Sequence, residues 1–192
     1  MTKNAHSSEN VKICAAALRL AAAKGWEQAT LDAIAKGAKL SLAKLKQRFV
    51  ALPDIAALIV AEITREALAA AKPAGSAHDV LFDLLMSRFE IMQKNRKAIL
   101  SIADAARRDV KLSRALARAS LQSAYALIDA AKIPAPPRPL LALGLSAVHG
   151  WAFLVWRRDD SRDMAKTMAA LDRGLRLAGK AAGICSINRA CS

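Results

Sequence analysis

The chain has 192 residues, a formal charge of +14, an apolar share of 54% and only 4% aromatics. Its apolar residues are mostly Ala and Leu, which lose least on entering a helix. With 8 Gly and 6 Pro it lacks the turn residues and β-branched runs of a sandwich or barrel. An all-α protein is expected, long enough to bury a core without staples.

The basic excess points to a polyanionic partner, nucleic acid first and an anionic membrane surface second. A composition biased to Arg and Ala would give the same number. Cys14, Cys185 and Cys191 form no CxxC, and His6, His78 and His149 lie far apart in sequence. No zinc site, other metal site or cofactor is expected. The polar start has no apolar run behind it, so no secretory leader is expected and the compartment is read as cytoplasmic.

In chain order, residues 1–8 read as a disordered start, with Ser7 or Ser8 capping a helix from about Glu9. Val11, Cys14, Ala15, Leu18 and Ala22 place one apolar stripe on it, Gly25 ends it, and Trp26 docks back. Thr30 caps a short second helix carrying Leu31, Ile34 and Ala35, with Gly37 as its stop. Ser41 caps a third, of about nine residues, burying Leu42, Leu45 and Phe49. Pro53 opens a longer helix over about 54–71. Lys72-Pro73-Ala74-Gly75-Ser76 is a boundary. Helices over about 77–93, 96–107 and 109–132 follow, then a stiff connector, Pro134-Ala135-Pro136-Pro137-Arg138-Pro139. A very apolar helix over about 140–156 is barely long enough to span a bilayer. Its Gly144, Ser146, His149 and Gly150 favour a buried or partner-facing helix, so no transmembrane span is expected. Asp160 or Ser161 caps a last helix reaching about Ala178.

The first three helices have the lengths of a helix-turn-helix bundle, in which the second helix rests on the DNA backbone and the third enters the major groove. From Ala33 to Pro53 the charged side chains are Lys36, Lys39, Lys44, Lys46 and Arg48, with no acid between them. They suit phosphate oxygens, and the Thr30 and Ser41 hydroxyls suit phosphates at helix starts; a solvated basic face would look alike. The expected DNA contacts are Thr30, Lys39, Ser41, Lys44, Lys46 and Arg48, with Lys44 best placed to reach a base edge.

The run from Ala16 to Ala35, with its apolar helix, Lys24-Gly25-Trp26, Thr30 and Ile34-Ala35, resembles the front of TetR-family regulators, and the likeness continues through Ser41, Leu45 and Phe49. The resemblance implies a repressor with a DNA-binding front, a helical ligand domain behind it, and a homodimer built by the last two helices. The chain departs from the pattern at Lys39, where the family has Gly; at Ala43-Lys44, where it has a small residue and Thr; at Lys46, where it has an aromatic; and at Leu52, where it has Lys.

Trp156-Arg157-Arg158-Asp159-Asp160-Ser161-Arg162-Asp163, followed by Thr167-Met168-Ala169-Ala170-Leu171-Asp172-Arg173, is similar to the C-terminal signature of a ubiquinone-biosynthesis accessory family. That resemblance implies a TetR fold that carries isoprenoid lipid and has no DNA function. Helix capping alone also selects Asp160, Ser161 and Asp163.

No nucleophile–base pair or carboxylate couple stands out, and no enzyme is expected. The expected architecture is a TetR-like helix-turn-helix module at 1–50, a ligand-binding and dimerising body at 51–180, and a flexible tail at 181–192. The expected function is a repressor bound to double-stranded DNA as a homodimer and released by a small apolar ligand; the alternative is the lipid-binding accessory protein. Candidate pocket residues are Phe82, Met86, Phe89, Tyr125, His149 and Trp151, although Met and aromatics at helical spacing also make an ordinary core. Candidate interface residues are Leu145, Val148, Ala152, Met164, Met168, Leu171 and Leu175.

Overall fold

A computed structural model describes residues 2–72, 74–133 and 137–181, and every regular element among them is helical. The elements are α1 (Thr2–Lys24), a 3-10 turn (Trp26–Gln28), α2 (Leu31–Ala38), α3 (Leu42–Lys46), α4 (Leu52–Ala70), α5 (Ala77–Lys94), α6 (Arg96–Ala106), α7 (Val110–Ala130), α8 (Arg138–Trp156) and α9 (Ala165–Ala181). They group into two compact units. Unit 1 comprises residues 1–64 and 92–119, and unit 2 comprises 65–91 and the described residues from 120 on.

In unit 1, α1 packs on α2 and α6. Small residues make this possible: Ala16, Ala17 and Ala21 are buried on α1, and a Cβ added at Gly37 would meet the Ala16 Cβ at 3.1 Å. Gly25 has φ 89 and ψ 152, a conformation that side chains disfavour. It turns the chain so that Trp26 is buried, with its backbone N–H donating to Ser101 Oγ at 2.8 Å. This docking ties the front helices to α6. The compact unit therefore extends well past the expected boundary at residue 50.

In unit 2, α8 packs on α9. Phe89, Leu84, Leu85, Leu127, Trp156 and Leu171 are its most deeply buried large side chains. The crossing is close at Gly174, where a Cβ would meet Val148 Cγ1 at 2.8 Å. α5 opens with a reciprocal cap: Ser76 N–H donates to Asp79 Oδ2 at 2.9 Å, and Asp79 N–H donates to Ser76 Oγ at 3.3 Å.

Several local expectations are revised. α1 begins at Thr2, so Ser7 and Ser8 lie inside it; Glu9 and Asn10 anchor its start to α3 and α4. Its buried stripe is Ile13, Cys14, Ala16, Ala17 and Ala21, while Val11 is exposed. Gly37 is interior to α2, and the left-handed end position falls on Lys39, with φ 58 and ψ 42. α3 has five residues, and Phe49 reaches the core from the turn after it, its N–H donating to Leu45 O at 3.0 Å. α9 begins at Ala165, after Met164 takes φ 55. Arg138 and Pro139 belong to the first turn of α8. Of the expected tail at 181–192, Ala181 ends α9, while 182–192, with Cys185 and Cys191, and the centre of the Pro connector at 134–136 lie outside the described residues.

Candidate nucleic-acid interface and ligand body

Unit 1 holds the six residues expected to meet DNA. Thr30 and Ser41 cap α2 and α3: Thr30 Oγ1 accepts from Ala33 N–H at 3.1 Å, and Ser41 Oγ accepts from Lys44 N–H at 3.2 Å. Both residues are exposed, and accepting leaves each hydroxyl proton available to donate. Lys39 and Lys46 are exposed and have no ion pair among the described residues. Lys36, by contrast, is paired with Asp32 at 2.8 Å.

Lys44 and Arg48 are engaged within the chain. Glu9 of α1 takes both: one carboxylate oxygen pairs with Lys44 Nζ, and the other lies 3.4 Å from Arg48 Nη1. Arg48 Nη2 also donates to Asn10 Oδ1, and its guanidinium stands 5.1 Å from the centroid of the Phe49 ring. Asn10 Nδ2 continues to Glu62 Oε1 at 3.3 Å. Lys39 and Lys46 are therefore open to an anion, whereas Lys44 and Arg48 already have Glu9 as a partner. The acid lies thirty-five residues away in sequence, so no local pattern announces it.

In unit 2 the expected pocket residues separate. Phe89 and His149 come together, their rings stacked at 5.1 Å with 23° between planes. Phe89 also meets Trp156 at 6.2 Å, and Trp156 meets Phe153 at 5.4 Å. Met86 is buried, Phe82 is half-buried beside His78 at 6.5 Å, and Tyr125 is half-buried. Trp151 is 40% exposed at the α8–α9 crossing, where a Cβ at Gly174 would meet its ring at 3.3 Å.

The sequence reading missed Arg88. It is 3% exposed, and among the described residues its Nε has no hydrogen-bond partner. Burial pushes its guanidinium down to about 10. His149 Nε2 is likewise buried without a partner. Burial first, and the Arg88 charge second, hold this imidazole well below its ordinary range, so it is neutral at pH 7. A signal for Arg88 was present: Leu81, Leu84, Leu85 and Arg88 follow the i, i+3, i+4, i+7 spacing of one buried face.

Six of the seven expected interface residues are buried within the single chain: Leu145, Val148, Ala152, Met164, Leu171 and Leu175. Met168 is half-buried. The open apolar stripe of α8 is instead Leu140, Leu143 and Leu154, with Trp151 at its edge and Leu177 exposed on α9. By length and composition, α8 is the helix among the described residues that reaches the threshold for crossing a membrane.

The loop between α8 and α9 is organised by Asp159, which is 1% exposed. Its Oδ2 accepts from Thr167 N–H at 2.8 Å and Thr167 Oγ1 at 2.7 Å. Its Oδ1 accepts from the Ser161 backbone N–H at 3.1 Å and from the Ser161 hydroxyl. These residues fall within the 156–173 segment singled out in the sequence.

No protein-family model and no curated protein matches the chain. Solved structures do. A TetR transcriptional regulator from Nitrosomonas europaea is 19% identical, with a TM-score of 0.69 over 89% of this chain and 98% of that one. A TetR transcriptional regulator from Rhodococcus sp. RHA1 is also 19% identical, with a TM-score of 0.65 over 89% and 95%. A Thermus thermophilus TetR-family repressor, FadR, in complex with lauroyl-CoA, is 18% identical, with a TM-score of 0.55 over 88% and 92%. The chain thus has the fold of TetR-family regulators.

Proposed function

We propose that this protein is a TetR-type transcriptional repressor. It binds double-stranded DNA through unit 1 as a homodimer, and a small apolar ligand in unit 2 releases it. The observation that carries this reading is the capped α2–α3 pair, whose exposed side presents Lys39, Lys46, Thr30 and Ser41, with Lys44 and Arg48 one ion exchange away. In this fold the ligand acts by favouring one of two conformations that differ in operator affinity. The neighbours of the same fold, described as transcriptional regulators and in one case bound to lauroyl-CoA, support the same reading.

The test is fluorescence anisotropy with the protein's own upstream DNA and a scrambled duplex, at low and physiological salt. The repressor holds its own site at physiological salt and loses the scrambled one. Lys44→Ala combined with Lys46→Ala weakens own-site binding about tenfold or more and leaves the melting temperature unchanged. Unchanged binding in that double variant overturns the site assignment.

A second reading has its own supporting observations. The Asp159–Ser161–Thr167 network is built from the residues of the accessory-family resemblance, and Glu9 holds the two recognition-side cations. Under this reading the chain carries lipid and does not read DNA. Equal, salt-erased binding to both duplexes supports it, because that pattern reports counterion release alone.

A further inference from the structure

Arg88 poses a physical question that the fold leaves open. A guanidinium is always charged at physiological pH and carries five N–H donors. Taking it out of water without a partner is among the most unfavourable arrangements in a protein interior, and native chains avoid it unless something else completes the site. Here the side chain is 3% exposed and its Nε is unsatisfied among the described residues. A second buried nitrogen, His149 Nε2, is also unsatisfied, and its ring stacks on Phe89, the residue next to Arg88. Two orphaned nitrogens, one on the neighbour of Phe89 in sequence and one on the ring stacked on Phe89, thus stand in the interior of unit 2, whose other buried polar side chains among the described residues are Ser123, Asp159 and Thr167.

We propose that Arg88 and His149 form the head-group site for an apolar carboxylic acid, with the guanidinium pairing the carboxylate and His149 Nε2 supplying one further hydrogen bond. The charge balance selects the class. One fixed cation beside an imidazole held neutral matches a monoanion, and a dianionic phosphate would leave a net negative charge out of water. The planar donor fork of Arg matches the two oxygens of a carboxylate.

The remainder of the ligand is apolar because the surroundings are. Along α5 and α8 the neighbouring buried residues are Leu84, Leu85, Leu145, Val148 and Ala152. Unit 2 also has a small, partly open apolar cleft of about 40 Å³, bordered by Leu81 and Leu145 and not by Arg88 or His149 themselves. These leucines stand about 10 Å before Arg88 and about 6 Å before His149 by helix rise. The inference rests on unit 2 being a ligand-binding body, which both functional readings share, and it adds the chemistry of the ligand.

The test is calorimetric titration of the full chain, without DNA, using decanoate and 2-naphthoate below any micelle-forming concentration. Each is compared with its uncharged counterpart, 1-decanol and 2-naphthalenemethanol. At least one carboxylate binds at one per chain, tenfold or more tighter than its alcohol. Arg88→Met removes that preference. The same variant raises the melting temperature of the ligand-free protein, because an apolar chain of similar length replaces a buried charge whose Nε is unsatisfied. Arg88→Lys, which keeps a cation, retains part of the preference. Equal affinity for acid and alcohol, no binding of either acid, or a preference that survives Arg88→Met overturns the proposal. DNA anisotropy is read separately, so a failed carboxylate site leaves the DNA reading standing, and the reverse.

Discussion

At the residue scale, Asp159 shows how neighbours set a protonation state. Burial alone would raise its carboxyl, but the hydrogen bonds from Ser161 and Thr167 outweigh burial and bring it to about 2, against an ordinary 3.8. A carboxylate whose folded value is depressed stabilises the fold fully above its unfolded value. That stabilisation is lost as pH falls through the folded value. Asp159→Asn is therefore expected to lower stability at pH 7 by about 2 kcal/mol, and the gap to the wild type should narrow between about pH 4 and pH 2. Urea midpoints at pH 7, 4 and 2.5 check this, and a gap that stays constant with pH excludes the carboxylate as its source. The polar junction Asp159-Asp160-Ser161 suggested a cap at Asp160 or Ser161. It did not suggest Asp159, because the partner Thr167 lies eight residues on, inside the next helix. Arg88 escaped notice for a related reason: an arginine within a helix is usually exposed, and only the surrounding stripe of leucines marked it as buried.

At the element scale, capping was legible and helix ends were not. Thr30 and Ser41 cap as expected, since an N-cap is a contact three residues long. The end of α2 depends on tertiary structure. Gly37 looked like a stop, but its lack of a side chain serves the close approach to Ala16, and Lys39 takes the left-handed position instead. A side chain in that conformation costs about 1 kcal/mol or more relative to glycine. Lys39→Gly is expected to stabilise the protein by about 1 kcal/mol, read as a raised urea midpoint. It should also weaken DNA binding slightly through the lost charge. A lowered midpoint would show that the lysine stem contributes packing that outweighs its backbone strain. The shift of the α1 stripe from Val11 to Ile13 has the same origin: helical periodicity fixes the width of an apolar face, and the partner helices choose which flank of it is covered.

At the scale of the whole molecule, the class of fold followed from composition and periodicity, while the division into units did not. Trp26 reaches Ser101 across seventy-five positions of sequence, and no local pattern anticipates such a contact. Of the expected dimer contacts, Leu145, Val148 and Ala152 of α8 are buried within the single chain, and the other flank of this helix is apolar too. The stripe of Leu140, Leu143 and Leu154 is the one left uncovered, with Trp151 at its edge partly covered by α9. Contiguous apolar surface of this kind is rarely left to water. Leu143→Glu combined with Leu154→Glu is expected to convert a dimer into a folded monomer, seen as a halved mass in sedimentation at micromolar concentration. A dimer that persists places the interface elsewhere. Under the proposed repressor function, Glu9 sets how the molecule searches a genome. A surface with a large positive excess adheres to any duplex and lingers there. A carboxylate held against Lys44 and Arg48 behaves like the resident counterion of an exchange resin: a phosphate gains from those two cations only where it is placed well enough to evict it. Random sequence is then released quickly, and dwell time accumulates where the groove fits.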